Sequence, residues 1–465
     1  PPPSGLAAAQ AVASRLSLSL GGAAPAPAAA VAQETKEEVV PMEVEGEAAS
    51  TLETSRNGYT FGKRYNTPRS VRVLEVQGLQ SIDRYENLGL VGRGAFNKIY
   101  KARHRETGEI VALKSMQLAA LEEAGQVQGG EGLPLEMVRE MSILVSMRHP
   151  NIVAVHEVVI DSSQMFLVME LVDFDLGLLI EHMKQPFSEA QVKCLAMQLL
   201  SALAAVHECF VLHRDLKQTN LLLDKNGVLK LCDFGLARRC SGFGKPCTPN
   251  VTSLWYRAPE ILLGEKAYGF AVDMWSFGCI LAEWLQHGEP LMQGTGEADQ
   301  INTIFKLLGT PSEHSWPKFS SLPAVQVAVF PFVDSHTISL GPDGALIKLP
   351  KNQLRKKFPA VPPSQSRTTA LSDCGFELLN STLNCNSEQR ISASSALDHA
   401  WFKEEPMPVP LSRSEIRQLR RNRDDAISSG AHHQALAQQR AQAASHVAAQ
   451  HAAAIAATIK ERMGL

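Results

Sequence analysis

The chain has 465 residues, 45% of them hydrophobic and 20% charged, with a net charge of −3. That length allows two or three structural units, and the charge balance is that of a soluble globular protein rather than a nucleic-acid binder. The eight cysteines include no C-x-x-C pair, which speaks against a zinc site or disulfide framework and for reduced thiols inside a cell. No apolar run reads as long enough to span a membrane, and no secretory signal is legible. The chain opens on Pro1 rather than Met, so its natural start is expected elsewhere.

Residues 1–50 are Ala- and Pro-rich, then acidic over ETKEEVVPMEVEGE (34–47). Such composition cannot bury a core and predicts disorder. Residues 54–72 turn basic, as a solvated linker or, alternatively, a localisation signal. Residues 1–80 are therefore read as a tail. YENLGLVGRGAFNKIYKARHRETGEIVALKSM (85–116) predicts strand, glycine turn, strand, ETGE hairpin and strand. A Gly- and Glu-rich loop (121–132) precedes PLEMVREMSILVSM (134–147), which has Pro at a helix start and helical apolar spacing. Strand texture returns over 152–172, and helices are predicted at 188–208, 270–287 and 297–308. Strands first and helices later suggest an α+β protein of two lobes, about 81–171 and 172–402, with a cleft between them. Residues 403–465 form a C-terminal tail, with a basic helical stretch at 412–425 and Ala, Gln and His beyond.

The chemistry-bearing motifs occur in one order. Phosphoryl transfer needs positioning and charge neutralisation more than covalent chemistry. VGRGAFNKI (91–99) has two of the three glycines of a nucleotide loop. Lys114, in VALK, suits the α- and β-phosphates, and Glu140 is its expected ion-pair partner. In HRDLKQTN (213–220), Asp215 would accept the substrate hydroxyl proton, Lys217 would steady the transferring phosphate, and Asn220 would hold a metal ion. DFG (233–235) adds Asp233 as a second hard oxygen ligand, a set that suits Mg²⁺. APE (258–260) closes the segment.

With these residues, the region from about 81 to 402 resembles a eukaryotic protein kinase. WYRAPE (255–260), PLEMVRE (134–140) and LGTPSEHSWPKF (308–319) are similar to the cyclin-dependent kinases, and PFSEAQVKC and LRKKFP to their PITSLRE/PISSLRE-like branch. The resemblance implies the bilobal kinase fold and ATP with Mg²⁺. Nucleotide contacts would come from Val91, Gly92, Arg93, Gly94, Ala95, Phe96, Asn97, Lys98, Ile99, Ala112, Lys114, Glu170, Val172 and Leu222. It also implies a cyclin on the PLEMVRE helix, an activating kinase for Thr248, Ser/Thr-Pro protein substrates and a nuclear location, with the cytoplasm as an alternative. No membrane or direct nucleic-acid partner is expected.

Three departures stand out. Asn97 replaces the third glycine; Asn tolerates a left-handed turn, so the loop is read as functional with weaker ATP affinity. Ala95 and Phe96 lack the hydroxyls through which relatives are inhibited. Thr252 replaces a valine in the proline-selecting loop, and Ser253 keeps a hydroxyl expected to bridge Asp215 and Lys217. An activating phosphate on Thr248 would be read by Arg139, Arg214 and Arg238. Asp273 should brace the catalytic loop, and Arg390 should pair with Glu260. The alternatives are a cyclin-independent kinase of the same group and a pseudokinase scaffold. Insertions at 121–132 and 326–350 would bear on which partner fits.

Overall fold

Alternation of branched and aromatic residues builds the first lobe. In a computed structural model, β1 (Tyr85–Arg93), β2 (Asn97–His104), β3 (Ile110–Gln117), β4 (Val155–Ile160) and β5 (Gln164–Glu170) form one antiparallel sheet, ordered β1-β2-β3-β5-β4. The structure describes residues 81–93, 97–117, 143, 147–160, 164–183, 185–239, 252–326, 352–360 and 370–428. Side chains alternate along a strand. Val111 and Leu113 therefore join Tyr85, Ala102, Val159 and Val168 in a buried cluster. Ala112 and Lys114 take the opposite face of β3.

The second lobe is helical around three small ladders. β6 (Phe174–Asp175) leads into α1 (Leu176–Glu181), followed by α2 (Glu189–Glu208) and β7 (Val211–Leu212). β8 (Leu221–Leu223) lies between β6 and β9 (Leu229–Leu231), and β7 pairs with β10 (Arg238–Arg239). Further on are α3 (Pro259–Leu262), α4 (Ala271–Leu285), α5 (Glu297–Leu308), α6 (Pro323–Gln326), α7 (Leu354–Lys357), α8 (Asp373–Thr382), α9 (Ala393–Leu397) and α10 (Arg413–Ser428).

α2 starts at a reciprocal capping box between Ser188 and Gln191, which satisfies backbone donors that a helix start leaves open. By length and composition α2 could cross a membrane, contrary to the sequence expectation; 61% of that window is buried inside the fold, as in a core helix. α4 is buried all round from Val272 to Leu285. Such a helix must supply partners for any charge it carries. The six described cysteines, Cys194, Cys209, Cys232, Cys279, Cys374 and Cys385, are free thiols. The basic stretch expected at 412–425 is α10, and it extends the packed structure past residue 402: Leu411 and Ile416 are buried.

Candidate active site

Asp215 lies in a loop between β7 and β8 that is held from below by Asp273 of α4. The buried Asp273 carboxylate accepts from the His213 N–H (2.9 Å) and the Arg214 N–H (2.9 Å), and it pairs with His207 Nε2 (3.0 Å). Burial alone would raise its pKa. The His207 hydrogen bond, the His207 and His213 charges and the Arg214 N–H outweigh burial and hold the carboxyl below its usual range. Asn220 Nδ2 donates to the Asp215 carbonyl (2.7 Å) and to Asp215 Oδ2 (3.1 Å). Lys217 Nζ donates to the same Oδ2 (2.7 Å). Among the described residues Asp215 Oδ1 has no protein donor, so one carboxylate oxygen is anchored and the other is available to a proton.

Asp233 reaches this loop from the other side. Its Oδ1 accepts from Lys114 Nζ (3.2 Å), which joins β3 of the first lobe to the DFG segment of the second. Burial would raise the Asp233 pKa; the charge and hydrogen bond of Lys114, with His213 and Lys217, reverse that and keep it low. Phe234 is fully buried and packs edge-on against the His213 ring at 4.8 Å. Arg214, Asp233 and Thr252 have φ of +64°, +62° and +71°, a region unusual for residues with a Cβ. Such strain persists where the surroundings over-determine it, commonly at functional sites.

The positions expected to contact a nucleotide lie mainly on the five-stranded sheet, with Leu222 on β8. Ala112 stands opposite Met169, and Lys114 opposite Ile99. Leu222, half-buried, lies between the buried Leu221 and Leu223 on β8. Val91 is exposed, Lys98 and Ile99 half-buried. Glu170 turns its carboxylate into a brace, accepting from the Ala154 N–H (2.7 Å) and Lys230 Nζ (2.8 Å). Val172 is left with an N–H and a carbonyl that have no partner among the described residues. A Cβ on Gly92 would make only ordinary contact with Ile99, at 3.7 Å. Among the described residues, nothing crowds a side chain there. Asn97 begins β2 in register with Met116, which asks for no left-handed backbone at that position.

In the loop expected to select proline, Thr252 Oγ1 donates to the Arg214 carbonyl (2.5 Å). Its own carbonyl accepts from Arg257 Nη2 (2.9 Å), while Arg257 Nη1 pairs with Glu297 (2.5 Å). Ser253 makes no side-chain cap bond, and its expected bridge between Asp215 and Lys217 is absent among the described residues, where Lys217 reaches Asp215 directly. Arg390 holds Glu260 through two bonds of 2.7 and 2.9 Å.

Sequence reasoning missed a second clamp. Glu283 of α4 accepts from Gln218 Nε2 and from the Tyr256 hydroxyl (3.2 Å). The available signal was a Glu within the apolar run WSFGCILAEW. Burial, opposed only by those two neutral donors, pushes Glu283 up to about 7. Arg214 Nε donates to the Leu236 carbonyl (2.7 Å), and β10 places Arg238 opposite Leu212, two residues before Arg214. Gly94, Ala95, Phe96, Arg139, Glu140 and Thr248 lie outside the described residues, as do the side chains of Arg93 and Asn97 and the insertions at 121–132 and 327–350.

Comparison with known proteins decides the family. A protein kinase domain model matches residues 85–402. Cyclin-dependent kinase 11B of Rattus norvegicus is 42% identical over 336 residues, covering 72% of this chain and 69% of the relative. This chain belongs to the protein kinase family, among the cyclin-dependent kinases. Cyclin-dependent kinase G-2 of Oryza sativa subsp. indica is 45% identical over 353 residues, 74% of this kinase and 46% of the relative. The kinase thus spans about half the length of several curated relatives it matches. A crystal structure of the yeast RNA Pol II CTD kinase CTDK-1 complex superposes with a TM-score of 0.59 at 34% identity, covering 74% of this chain and 99% of that one.

The kinase's residues fit a site that would take a magnesium ion. Asp233 offers an ionised carboxylate whose side chain is 47% exposed. Asn220 has its amide nitrogen committed to Asp215, and its side-chain carbonyl oxygen has no protein donor among the described residues. Two hard oxygens are too few for a closed cation site, and no cluster of three His, Cys, Asp or Glu exists among the described residues. Mg²⁺ is typically held by one or two carboxylates with substrate phosphates and water, and this half-set matches that pattern.

Proposed function

We propose that this chain is a cyclin-activated, proline-directed Ser/Thr protein kinase that uses Mg-ATP. The observation that carries the reading is the convergence of Lys114–Asp233 and Lys217–Asp215–Asn220 on one cleft. Lys114 holds the α- and β-phosphates, and Val172 offers its backbone to the adenine. Mg²⁺, when bound to Asp233 and Asn220, neutralises charge on the phosphate oxygens. Asp215 accepts the hydroxyl proton through Oδ1 while Lys217 steadies the transferring group. A decayed scaffold would have no need to retain both pairs.

The preference for proline follows from Thr252. Its carbonyl is already taken by Arg257, so a substrate backbone N–H placed there finds no acceptor. Leaving a buried N–H unpaired costs about 1–3 kcal/mol. Proline has no N–H and avoids that cost. Thr248, read by Arg139, Arg214 and Arg238, is the activating phosphosite, and the PLEMVRE helix carrying Glu140 is the cyclin contact. Transcription or RNA processing in the nucleus is the favoured setting, because the similar solved structure is an RNA Pol II CTD kinase complex; cell-cycle control is the alternative.

The test is transfer of phosphate by the full chain with a cyclin partner to Ser-Pro and Ser-Ala peptides. Ser-Pro should be preferred. Asp215→Asn should lower turnover by about two orders of magnitude or more, the scale for a positioned base, and Thr248→Ala should lower it too. Wild-type turnover in Asp215→Asn sinks the reading.

A further inference from the structure

The chain beyond residue 402, outside the matched domain, is fastened to the second lobe at successive points. Lys193 of α2, fully buried, donates to the carbonyls of Glu404 (3.0 Å) and Pro406 (3.1 Å). The Val409 N–H donates to the Ala190 carbonyl (3.0 Å). A Cβ on Gly227 would sit 2.9 Å from the Leu411 carbonyl, so Gly227, at φ +82°, admits that close approach. Gln191 binds Glu415 (2.8 Å) and Arg413 binds Asn226 (3.1 Å), which fixes the first turn of α10. Ile416, Leu419, Asn422 and Arg423 share one helical face, at the spacing that brings residues onto a common stripe.

The end of that stripe meets the segment after Glu170–Val172, the hinge by which the chain leaves β5. The Arg423 guanidinium lies 5.5 Å from the centre of the Phe174 ring. Phe174 and Asp175 form β6, two residues past Val172, and pair with Leu223 and Leu222 on the cleft floor. Asp175 caps α1 by accepting from the Leu178 N–H (3.1 Å). Gly177, in the first turn of α1, lies beside the turn that carries Gln218: an added Cβ would make ordinary contact with the Gln218 backbone at 3.5 Å. Gln218 opens the turn that ends at Asn220. One short segment thus joins the hinge, the floor and the metal-ligand turn, and Arg423 presses on it. Burial pushes Asp175 up to about 6, the Leu178 and Gly177 N–H groups oppose that, and the Arg423 charge opposes it further.

We propose that Arg423 is a positioning residue of the nucleotide site. From a helix outside the kinase domain it holds Phe174 and Asp175 in place, so that ATP affinity depends on α10. The proposal rests on the Mg-ATP reading given above. An unrestrained β6 lets the hinge backbone and the Leu222 floor shift relative to each other, which weakens binding without touching the groups that move the proton.

The experiment measures binding of Mg-ATP to the full chain, with thermal unfolding and amide exchange alongside. Arg423→Ala should weaken binding about threefold, the scale of one partly exposed cation–ring contact. Arg423→Glu, which sets a like charge near Asp175, should weaken it about tenfold. Arg423→Lys should restore affinity to within about twofold, because it keeps a cation over the ring. Arg417→Ala, on the exposed face of α10, should bind as wild type. Amides of 172–178 should exchange faster in the Ala and Glu variants at an unchanged melting temperature. Wild-type affinity in both variants overturns the proposal, as does a loss that lysine fails to restore or that Arg417→Ala shares. A wild-type chain that does not bind Mg-ATP instead overturns the functional reading, before any variant is compared.

Discussion

α4 carries a buried carboxylate near each end, and both clamp the same catalytic loop. Asp273 and Glu283 are each 1% exposed. Asp273 grips the backbone of His213 and Arg214 with His207 beside it; Glu283 grips the side chain of Gln218 and the hydroxyl of Tyr256. One carboxyl is held below its usual range, and the other is pushed up to about 7. Equal burial gives opposite outcomes because the donors differ. Fixed backbone amides and imidazoles favour the ionised form, whereas an amide side chain and a phenol do not offset desolvation. The loop therefore hangs from one clamp charged across the physiological range and one that titrates near neutrality.

The sharpest way to break this symmetry is to delete the charged clamp. Asp273→Ala leaves two buried N–H groups and His207 without their acceptor. At about 1–3 kcal/mol for each unsatisfied group, the loss should be about 3 kcal/mol or more, with turnover falling as the loop loosens. Chemical denaturation checks this; a loss under about 1 kcal/mol would show that the loop is held by other means. The pH sense follows from the depressed pKa. Asp273 stabilises the fold above its unfolded value near 3.8, and that contribution disappears as pH falls through the lower folded value.

Glu283 behaves in the opposite sense. Folding raises its pKa from 4.5 to about 7, so the folded state binds the proton more tightly. Its stabilisation is fully present below about 4.5 and is lost as pH rises through about 7, by as much as about 3 kcal/mol. Glu283→Gln copies the protonated form and should flatten that descent, with near-wild-type stability at low pH and higher relative stability above neutrality. Urea titrations at several pH values test this, and an unchanged slope between wild type and variant would refute the assignment.

The two clamps were unequally legible in the sequence. Asp273 sits in VDMWSFG, a motif with a known place in the family, and its role was expected. Glu283 lies in an ordinary apolar helix, and no spacing connects it to Gln218, 65 positions away. The strands and helices themselves were readable because their periods were clean: helices expected at 188–208, 270–287 and 297–308 appear as Glu189–Glu208, Ala271–Leu285 and Glu297–Leu308. Contacts set by tertiary packing were not. Ser253 kept the right hydroxyl, yet Lys217 reaches Asp215 without it. The basic stretch at 412–425 read as a helix, but only the fold shows Arg423 against Phe174. Charge composition describes a surface helix and a docked one alike.

The smallest perturbation tests whether the donors at Glu283 set its titration. Tyr256→Phe removes a hydroxyl that favours the ionised carboxylate, while the Gln218 contact stays. With one donor fewer, Glu283 should bind its proton more tightly still, so its pKa rises above about 7. The pH at which stability declines should move up accordingly, in the direction opposite to that expected if the hydroxyl mattered only for packing against a neutral acid. At low pH the variant should lose about 1 kcal/mol, the net value of one hydrogen bond. The acid limb governed by Asp273 should not move, because Tyr256 does not touch that carboxylate. Stability followed across pH in wild type, Tyr256→Phe and Glu283→Gln separates these effects. A decline that stays in place, or moves to lower pH, would mean that burial alone sets Glu283 and that the donors at the two ends of α4 do not explain their difference.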